Sequence, residues 1–302
     1  MTSDRNVELL TELPPIGPAI AKAAVSSRGR GGAKAGLPDR TVMVSDVSFD
    51  INDLADYAHL IGLTLTNDVP GTYLHVQTFA LQVHLMAARD FPFAMAGMVH
   101  VANQMTVLRP VGVAEKVTLS SSATNMAPHR SGLTVDLVGE ARVGDELVWR
   151  GTSTYLVKGA SMPHEGAAET GSPEAEAASG ADVALQQWAQ WRTTTDLGRR
   201  YATVAGDVNP IHMSGLAAKA FGFPTAIAHG MWTHAKVMAA LQGRIPATHT
   251  VSVNFRKPIL LGSTVAFHAG MTDDRVALSV TNRSGDRVHL TGEVVPLAGS
   301  IS

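Results

Sequence analysis

Hydrophobic and polar positions repeat one pattern twice along the chain. Apolar residues at 76–86 recur at the spacing of a helix, and those at 231–241 do the same. Because neither stretch has a continuous polar face, each predicts a helix that is buried on all sides. Segments in which polar and apolar residues alternate follow each helix, as in half-buried strands. The pattern therefore predicts an α+β fold built from two similar halves.

The alternating segments form three strands in each half, with turn residues between them. Gly144-Asp145 marks a turn in the first half, and Ser284–Asp286 marks one in the second. Antiparallel strands in each half would wrap their own helix, and joining the two sheets edge to edge would hide edges that otherwise promote aggregation. The predicted strands lie at about 113–125, 130–142 and 146–158, and at about 262–271, 274–283 and 286–296.

Short motifs recur in the same order in both halves. Pro70–His75 and Pro224–His229 both read Pro-x4-His and lead into the predicted helices. Thirteen residues separate Tyr57 from Pro70, whereas twenty-three separate Tyr201 from Pro224. The second half therefore carries ten extra residues before its central helix.

Two segments rich in small residues divide the chain. Residues 160–180 are rich in Ala, Gly, Ser, Glu and Pro, which is typical of a flexible linker. Residues 26–36 lack the Gly-Lys-Ser/Thr ending and the preceding strand of a phosphate-binding loop, so a flexible arm is the better interpretation. The predicted units are an N-terminal arm (1–37), a degenerate first repeat (38–159), a linker (160–181) and a second repeat (182–302).

Composition and charge narrow the class of protein. The 302 residues carry a formal net charge of −2, so no positive field directs the chain to nucleic acid or anionic lipid. There is no cysteine, which excludes disulfides, thiolate metal sites and a cysteine nucleophile. No apolar run approaches the ~18 residues of a membrane span, and no signal-peptide pattern is present. These features predict a cytoplasmic globular protein that is compatible with small neutral or anionic ligands.

The extra residues of the second half contain a candidate acid–base pair. Gly206, Asp207, Asn209 and Pro210 predict a turn, because Asx side chains bond their own backbone and a proline disfavours helix at the preceding residue. His212 follows Asp207 by five residues across this kinked, non-helical stretch, which would let both side chains meet one water. A short helix at about 214–221 would form one wall. Taken alone, the same residues also fit a purely structural turn.

A longer match around this turn resembles the hydratase signature of the MaoC family. Tyr201 to Ala218 follows the pattern aromatic-x2-aliphatic-small-Gly-Asp-x-Asn-Pro-aliphatic-His-x5-Ala, and Ala-His-Gly-Met at 228–231 follows it. Ala205 departs from the Ser often found there, which removes a hydroxyl near the pair. The resemblance covers most of 40–159 and 182–298 and is greatest to two-repeat actinobacterial dehydratases. It implies a double hot-dog fold, with two antiparallel sheets that each wrap a long central helix.

The resemblance also implies the roles of four residues. Asp207 and His212 would hold the catalytic water during hydration; in reverse they would take the C2 proton and protonate the leaving C3 hydroxyl. Asn209 would orient the water or the Asp207 carboxylate. Gly230, at the start of the central helix, would donate its backbone N–H to the thioester oxygen. Because the thioester itself acidifies C2, no metal or other cofactor is expected.

The other histidines are interpreted as structural. His229 is given a packing or helix-start role, because its counterpart His75 has no catalytic loop beside it. His84, His100 and His234 lie on apolar stretches, which is typical of core histidines with hydrogen-bonded rings. No cluster of His, Asp and Glu shows the spacing of metal ligands.

The first half lacks the acid–base motif and is predicted to be an inert partner wall. It reads Thr-Asn-Asp-Val-Pro at 66–70, where the catalytic loop is missing. That loss suggests room for a longer acyl tail among Leu74, Phe79, Phe91 and Phe93. In the second half, the substrate is expected to contact Tyr201, Gly206, Pro210, His229 and Met231.

The predicted reaction is the reversible hydration of a trans-2-enoyl thioester to the (R)-3-hydroxyacyl thioester in fatty-acid metabolism. Coenzyme A is the favoured carrier, and an acyl-carrier-protein dehydratase of fatty-acid or mycolate-type elongation is the alternative. Lys219, Arg256 and Lys257 fit contacts with the phosphates of either carrier, or solvated surface charges, equally well. A hot-dog thioesterase and a non-catalytic acyl-thioester binding protein are candidates of other classes. The two halves would form an intramolecular pseudo-dimer, and a homodimer of whole chains is compatible with it.

Overall fold

A computed structural model describes residues 6–25, 30–162 and 183–298 of the chain. The first half contains six strands and three α-helices, and the second half contains five strands and four α-helices, within these ranges. First-half elements are β1 (Asn6–Leu10), α1 (Ile16–Val25), β2 (Arg40–Val47), α2 (Ile51–Ile61), α3 (Gly71–Ala87), β3 (Met98–Val107), β4 (Val117–His129), β5 (Gly132–Val143) and β6 (Glu146–Lys158). Second-half elements are β7 (Gln186–Arg192), α4 (Leu197–Ala205), α5 (Pro210–Met213), α6 (Gly215–Ala220), α7 (Gly230–Ala240), β8 (His249–Phe255), β9 (Thr264–Met271), β10 (Val276–Asn282) and β11 (Val288–Pro296).

The strands form one continuous sheet, in which β3 and β8 join the two halves. The order across the sheet is β1-β2-β4-β5-β6-β3-β8-β11-β10-β9-β7. At the junction, Ala102–Val107 pairs antiparallel with His249–Asn254. Gln104 Nε2 also donates to Ser252 Oγ across it at 3.0 Å. The predicted edge-to-edge joining is confirmed, and the main hydrophobic core contains side chains from both halves.

The two predicted central helices are α3 and α7, and both are largely buried. Buried side chains are distributed around most of the circumference of each helix, which agrees with the absence of a polar face in the sequence. Four strands follow each helix, and the last three of each set (β4–β6 and β9–β11) lie close to the predicted ranges. The junction strands β3 and β8 were not predicted, and neither were β1, β2 and β7.

The correspondence between the two central helices differs from the one that the sequence suggested. Gly71 is the first residue of α3 and Gly230 the first of α7, so His75 corresponds to His234. Pro70 and His229 are the residues immediately before the two helices. The Pro-x4-His alignment, which paired His75 with His229, is therefore wrong.

The length of the insertion changes with this alignment. Gly62 ends α2 and Gly206 ends α4, each in the left-handed conformation that glycine favours. Gly71 follows Gly62 by nine residues, whereas Gly230 follows Gly206 by twenty-four. The second half thus carries fifteen extra residues at this point rather than ten.

Much of the N-terminal segment belongs to the fold, which contradicts the prediction of a flexible arm. β1 pairs parallel with β2, and α1 packs against α3. Residues Gly32–Ala35 form a 3-10 helix. Next to it, the Arg30 guanidinium donates to the carbonyls of Met86, Ala88 and Phe91 at 2.9–3.1 Å, around the end of α3. Residues 26–29 of the expected arm and 163–181 of the expected linker lie outside the described residues.

Among the helices that the structure describes, none combines the length and the hydropathy needed to cross a bilayer.

We expect the two halves to unfold together, because one core and one sheet span them. Met105, which is 1% exposed on β3 at the junction, tests this expectation. Met105→Ala should lower the free energy of unfolding by about 2–5 kcal/mol while urea denaturation remains a single transition by circular dichroism. Met271→Ala, at a residue that is 49% exposed, is the control and should change stability little. Two separate transitions in the wild type would contradict a shared core.

Candidate active site

A tight turn between α4 and α5 presents Asp207. Gly206 ends α4 with φ of 72°, a conformation that an L residue with a side chain rarely adopts. The Asp207 carboxylate Oδ1 then accepts a hydrogen bond from the backbone N–H of Asn209 at 3.2 Å. Pro210 occupies the first position of α5, where its missing N–H costs no helical hydrogen bond.

Two expectations about this turn need correction. His212 lies within α5, so the stretch from Pro210 is a short helix rather than non-helical. The Asn209 side chain caps that helix, since its Oδ1 accepts from Ile211 N–H at 3.4 Å. The contact between Asn209 and the Asp207 carboxylate is made by the Asn209 backbone. The predicted helix at 214–221 is confirmed as α6, with Ser214 as its N-cap.

The fold brings His229 to the acid–base pair. The rings of His212 and His229 stack with centroids 3.8 Å apart. His212 Nδ1 lies 2.9 Å from the Ile227 carbonyl oxygen, and His229 Nε2 lies 2.9 Å from the Asp207 carbonyl oxygen. Since a carbonyl can only accept, each of these nitrogens carries the proton, which leaves His212 Nε2 and His229 Nδ1 with free lone pairs in the neutral rings.

Both rings are neutral at physiological pH. Burial and, to a smaller extent, the neighbouring His212 ring lower the pKa of His229 to about 3, although the charge of Asp207 and the hydrogen bond to its carbonyl act in the opposite direction. Burial also lowers the pKa of His212, while Asp207 and the hydrogen bond to Ile227 act in the opposite direction. The His229 Nε2 to Asp207 Oδ2 distance of 3.8 Å is therefore a dipole–charge contact and not an ion pair. His212 is available as a base.

The expectation that no residues cluster as metal ligands do is also wrong. Asp207, His212 and His229 place one potential ligand atom each within 4.8 Å of one another. The sequence does not reveal this cluster, because His229 follows Asp207 by twenty-two residues and no local spacing connects them. The same proximity allows protons to pass between these groups and a bound water.

Gly230 provides a backbone N–H at the N-terminus of α7. The first N–H groups of a helix have no intrahelical acceptor and lie at the positive end of its dipole. A Cβ on Gly230 would lie only 3.0 Å from the Phe255 ring, so glycine allows the ring and the helix end to approach closely. The position predicted for this residue is confirmed, and its hydrogen bond to the thioester oxygen remains a proposal.

Gly198 in α4 is a site residue that the sequence did not identify. A Cβ on Gly198 would overlap the carbonyl oxygen of His212. Only glycine therefore lets α4 and α5 pack at the distance that places the His212 ring. A glycine in the first turn of a helix gives no sequence signal of its own, because its function depends on a residue fourteen positions away.

The other residues predicted to contact the substrate differ from one another in burial and in their neighbours. Tyr201 is buried, with its ring 4.9 Å from that of His229, whereas Pro210 is exposed and Met231 is 8% exposed. Leu74 packs in the main core, apart from Phe79, Phe91 and Phe93, which belong to a second core between α3 and the sheet. Phe91 and Phe93 are also buried, whereas Phe79 is partly exposed, and a role of these four residues in binding the acyl tail stays a prediction.

A cleft of about 330 Å³ adjoins the catalytic turn. Gly206 and Val208, on either side of Asp207, form one wall, and Val76 and Ala80 of α3 form the opposite wall. The N-terminal segment closes a third side through Leu13, Pro14, Ile16 and Gly17. Both the first half and the N-terminal segment therefore contribute to the surroundings of Asp207.

Trp149 occupies the corresponding place in the first half. Its Nε1 would lie 3.2 Å from a Cβ on Gly71, the counterpart of Gly230, and its side chain is fully buried. Leu290 takes the equivalent position in the second half, since it pairs with Phe255 on β8 as Trp149 pairs with Val107 on β3. The larger indole fills the space beside Gly71, and this supports the prediction that the first half is inert.

The sequence predicts that His84, His100 and His234 are core residues with hydrogen-bonded rings, and the structure contradicts this for each of them. Both ring nitrogens of His234 and the Nε2 of His100 are buried and have no hydrogen-bond partner among the described residues. His84 is not a core residue, because its Nε2 lies 2.8 Å from the Glu8 carboxylate near the surface.

Comparison with known proteins assigns the family. Residues 175–290 match the model of the MaoC like domain. The 3-hydroxyacyl-thioester dehydratase X of Mycobacterium tuberculosis is 38% identical over 258 residues, which are 85% of this chain and 90% of that protein. The chain therefore belongs to the MaoC-like dehydratase family.

Individual relatives support the fold. The crystal structure of HtdX of Mycobacterium tuberculosis superposes with a TM-score of 0.73 at 37% identity, over 85% of this chain and all of that one. A second mycobacterial protein described as a double hot-dog fold superposes with a TM-score of 0.50 at 12% identity, over 82% of this chain and 93% of that one. The predicted double hot-dog fold is confirmed. The 3-hydroxybutyryl-CoA dehydratase of Methylorubrum extorquens is 35% identical over 104 residues, or 32% of this chain and 66% of that protein.

The pKa values of His212 and His229 can be measured by titrating the ring nitrogens with NMR. We expect His212 to titrate below its ordinary value of 6.5 and His229 near 3. In Asp207→Asn both values should fall further, because the carboxylate charge that favours the protonated rings is removed. Asp196→Asn, at a partly exposed residue before α4, should leave both values unchanged. Titration of His212 above 6.5 in the wild type would mean that the ring is charged and solvated.

Proposed function

We propose that this protein catalyses the reversible hydration of trans-2-enoyl thioesters to (R)-3-hydroxyacyl thioesters in fatty-acid metabolism. The observation that carries this proposal is the convergence of Asp207 and the neutral His212 beside the N-terminus of α7. The family assignment supports it, since two relatives are named as dehydratases of hydroxyacyl thioesters. The protein is then a hydro-lyase.

In hydration, the pair activates a water between the Asp207 carboxylate and His212 Nε2. One of the two groups takes a proton from the water as its oxygen bonds to C3, and the C2–C3 π electrons move onto the thioester oxygen as an enolate. The proton taken from the water is then delivered by the pair to C2 on the same face, so that Asp207 and His212 return to their starting protonation states. Dehydration runs through the same steps in reverse, with the C2 proton removed and the C3 hydroxyl leaving as water.

The enolate oxygen receives its stabilisation from Gly230. Its backbone N–H is fixed by the helix and is not consumed by another helical residue, so no reorganisation is needed as charge develops. His229 is a positioning residue in this scheme. Its Nε2–H binds the Asp207 carbonyl and its ring stacks on His212, which fixes both members of the pair.

We further propose that the acyl group is carried by coenzyme A. The CoA thioester in the name of the Methylorubrum relative supports this choice. Lys219 on α6 and the pair Arg256 and Lys257 after β8 are exposed cations that flank the site, and they fit binding of the nucleotide phosphates. An acyl-carrier-protein substrate would use the same acid–base chemistry, so comparison of the two carriers in one assay distinguishes them.

Asp207→Asn should reduce the turnover of trans-2-enoyl-CoA about 10²–10⁴-fold, because the amide cannot exchange a proton with water or C2. Loss of the enoyl-thioester absorbance measures the rate, with chain lengths from C4 to C16. Asp274→Asn, at a fully exposed turn, is the matched control and should retain the wild-type rate. If Asp207→Asn kept that rate, the assignment of Asp207 would be incorrect.

Gly198→Ala should lower turnover at least about tenfold although the residue does not touch the substrate, because the new methyl group displaces the His212 carbonyl. Gly97→Ala is the control, since open space surrounds Gly97. Both variants should show a wild-type circular dichroism spectrum. Equal activity of the two variants would show that α4 does not position His212.

A further inference from the structure

Four polar rings from both halves meet beneath the central helices, and none of them has a role in the hydration scheme. This imidazole cluster consists of His75 on α3, His100 on β3, Tyr155 on β6 and His234 on α7. The His100 ring stacks on Tyr155 with centroids 4.7 Å apart and lies 6.3 Å from the His75 ring. His75 is 3% exposed and His234 is fully buried.

Several nitrogens of the cluster have no hydrogen-bond partner among the described residues. They are His75 Nδ1, His100 Nε2 and both ring nitrogens of His234. The amide oxygen of Asn103, three residues along β3 from His100, is in the same condition. Burial of an unpaired polar group destabilises a fold, so a concentration of such groups at one place indicates a site that receives its partner from a ligand.

The cluster continues from the proposed active site. Phe255, whose ring lies against Gly230, makes an edge contact with His100 at 5.1 Å between centroids. His234 lies one helical turn after Gly230, which is about 6 Å along the axis of α7. The charge of the Asp207 carboxylate acts to raise the pKa of both His75 and Tyr155, so this carboxylate also lies near the imidazole cluster.

Aromatic rings connect Gly230 to the cluster through a series of contacts. The Phe255 ring lies against Gly230 and contacts His100, and both side chains are only partly buried. Phe79 is also partly buried, and its ring lies 6.2 Å from that of His75. An acyl chain with its thioester at Gly230 would follow these rings from Phe255 past His100 toward Phe79.

The cluster is neutral at physiological pH, because burial lowers the pKa of His75 to about 4 and those of His100 and His234 to about 3. A neutral imidazole has one donor and one acceptor nitrogen, and a tyrosine hydroxyl can also do both. A hydroxyl or oxo group complements these atoms without adding charge. A carboxylate would require a protonated ring in this buried place.

We propose that the imidazole cluster binds a hydroxyl or oxo group on the acyl tail, beyond the reacting C2 and C3. The preferred substrates are then oxygenated acyl thioesters rather than plain alkyl ones. This inference rests on the proposed function for the orientation of the ligand. A site built to hydrogen-bond such a group discriminates strongly against the analogue that lacks it, because its own polar atoms then stay unpaired.

Binding of saturated analogues tests the inference without turnover. Calorimetric titration would compare decanoyl-CoA with isomers that carry one hydroxyl or one oxo group at successive carbons from C5 to C9. We expect at least one isomer to bind about tenfold more tightly than decanoyl-CoA, or better. His75→Leu and His234→Leu should each remove that preference, whereas His268→Leu, on β9 outside the cluster, should retain it.

The outcomes separate this inference from the proposed function. Equal binding of decanoyl-CoA and every oxygenated isomer, or a preference that survives both leucine variants, would overturn the inference even if enoyl-CoA is hydrated. A binding preference that depends on His75 and His234 would support the inference even if the protein does not hydrate enoyl-CoA. The absence of hydration would then count against the proposed function alone. If a leucine variant does not fold, His100→Phe replaces it, since His100 is partly exposed and already packs among aromatic rings.

Discussion

The hydrogen bond from the His229 imidazole to the Asp207 carbonyl holds the site together. It connects the turn after α4 to the residue before α7, across the insertion that distinguishes the second half. The ring that donates it also stacks on His212, whose own Nδ1 binds the Ile227 carbonyl. Because these bonds fix which nitrogen of each ring carries the proton, they also determine that His212 faces Asp207 with a free lone pair. Burial keeps both rings neutral and so preserves this arrangement.

The asymmetry between the two halves follows from the insertion and from one large side chain. The scaffold occurs twice, with Gly71 and Gly230 in equivalent positions at the start of a buried helix. Only the second half has the residues that place an acid and a base beside that helix end. In the first half, the Trp149 indole lies beside Gly71, whereas the Phe255 ring lies beside Gly230 and the smaller Leu290 takes the place of Trp149. The first half instead contributes α3 to the wall of the cleft next to Asp207, and His75, His100 and Tyr155 to the polar cluster.

Sequence patterns predicted the parts of the fold that depend on local periodicity. The buried helices α3 and α7 and the three strands after each were predicted because their apolar residues recur at helical or alternating spacing. β3 was not, because His100, Asn103 and Gln104 interrupt its alternation, and the His100 ring belongs to a cluster that only the fold creates. Its partner β8 pairs with β3 and β11, and pairing between strands that lie so far apart in the chain leaves no local pattern.

The sequence predicted only those site residues that belong to one motif along the chain. Asp207, His212 and Gly230 were found because a motif holds them in order. The Pro-x4-His spacing paired His229 with His75, and this pairing was wrong. A short motif does not show how many residues have been inserted before a helix. Gly198 and the N-terminal wall depend on contacts between distant segments, which no local pattern records. The scaffold is present twice in this chain, and we infer that it carries a single substrate site. Calorimetric titration of the whole protein with a saturated acyl-CoA measures the number of sites directly. We expect one molecule bound per chain, and two equivalent molecules per chain would contradict a single site.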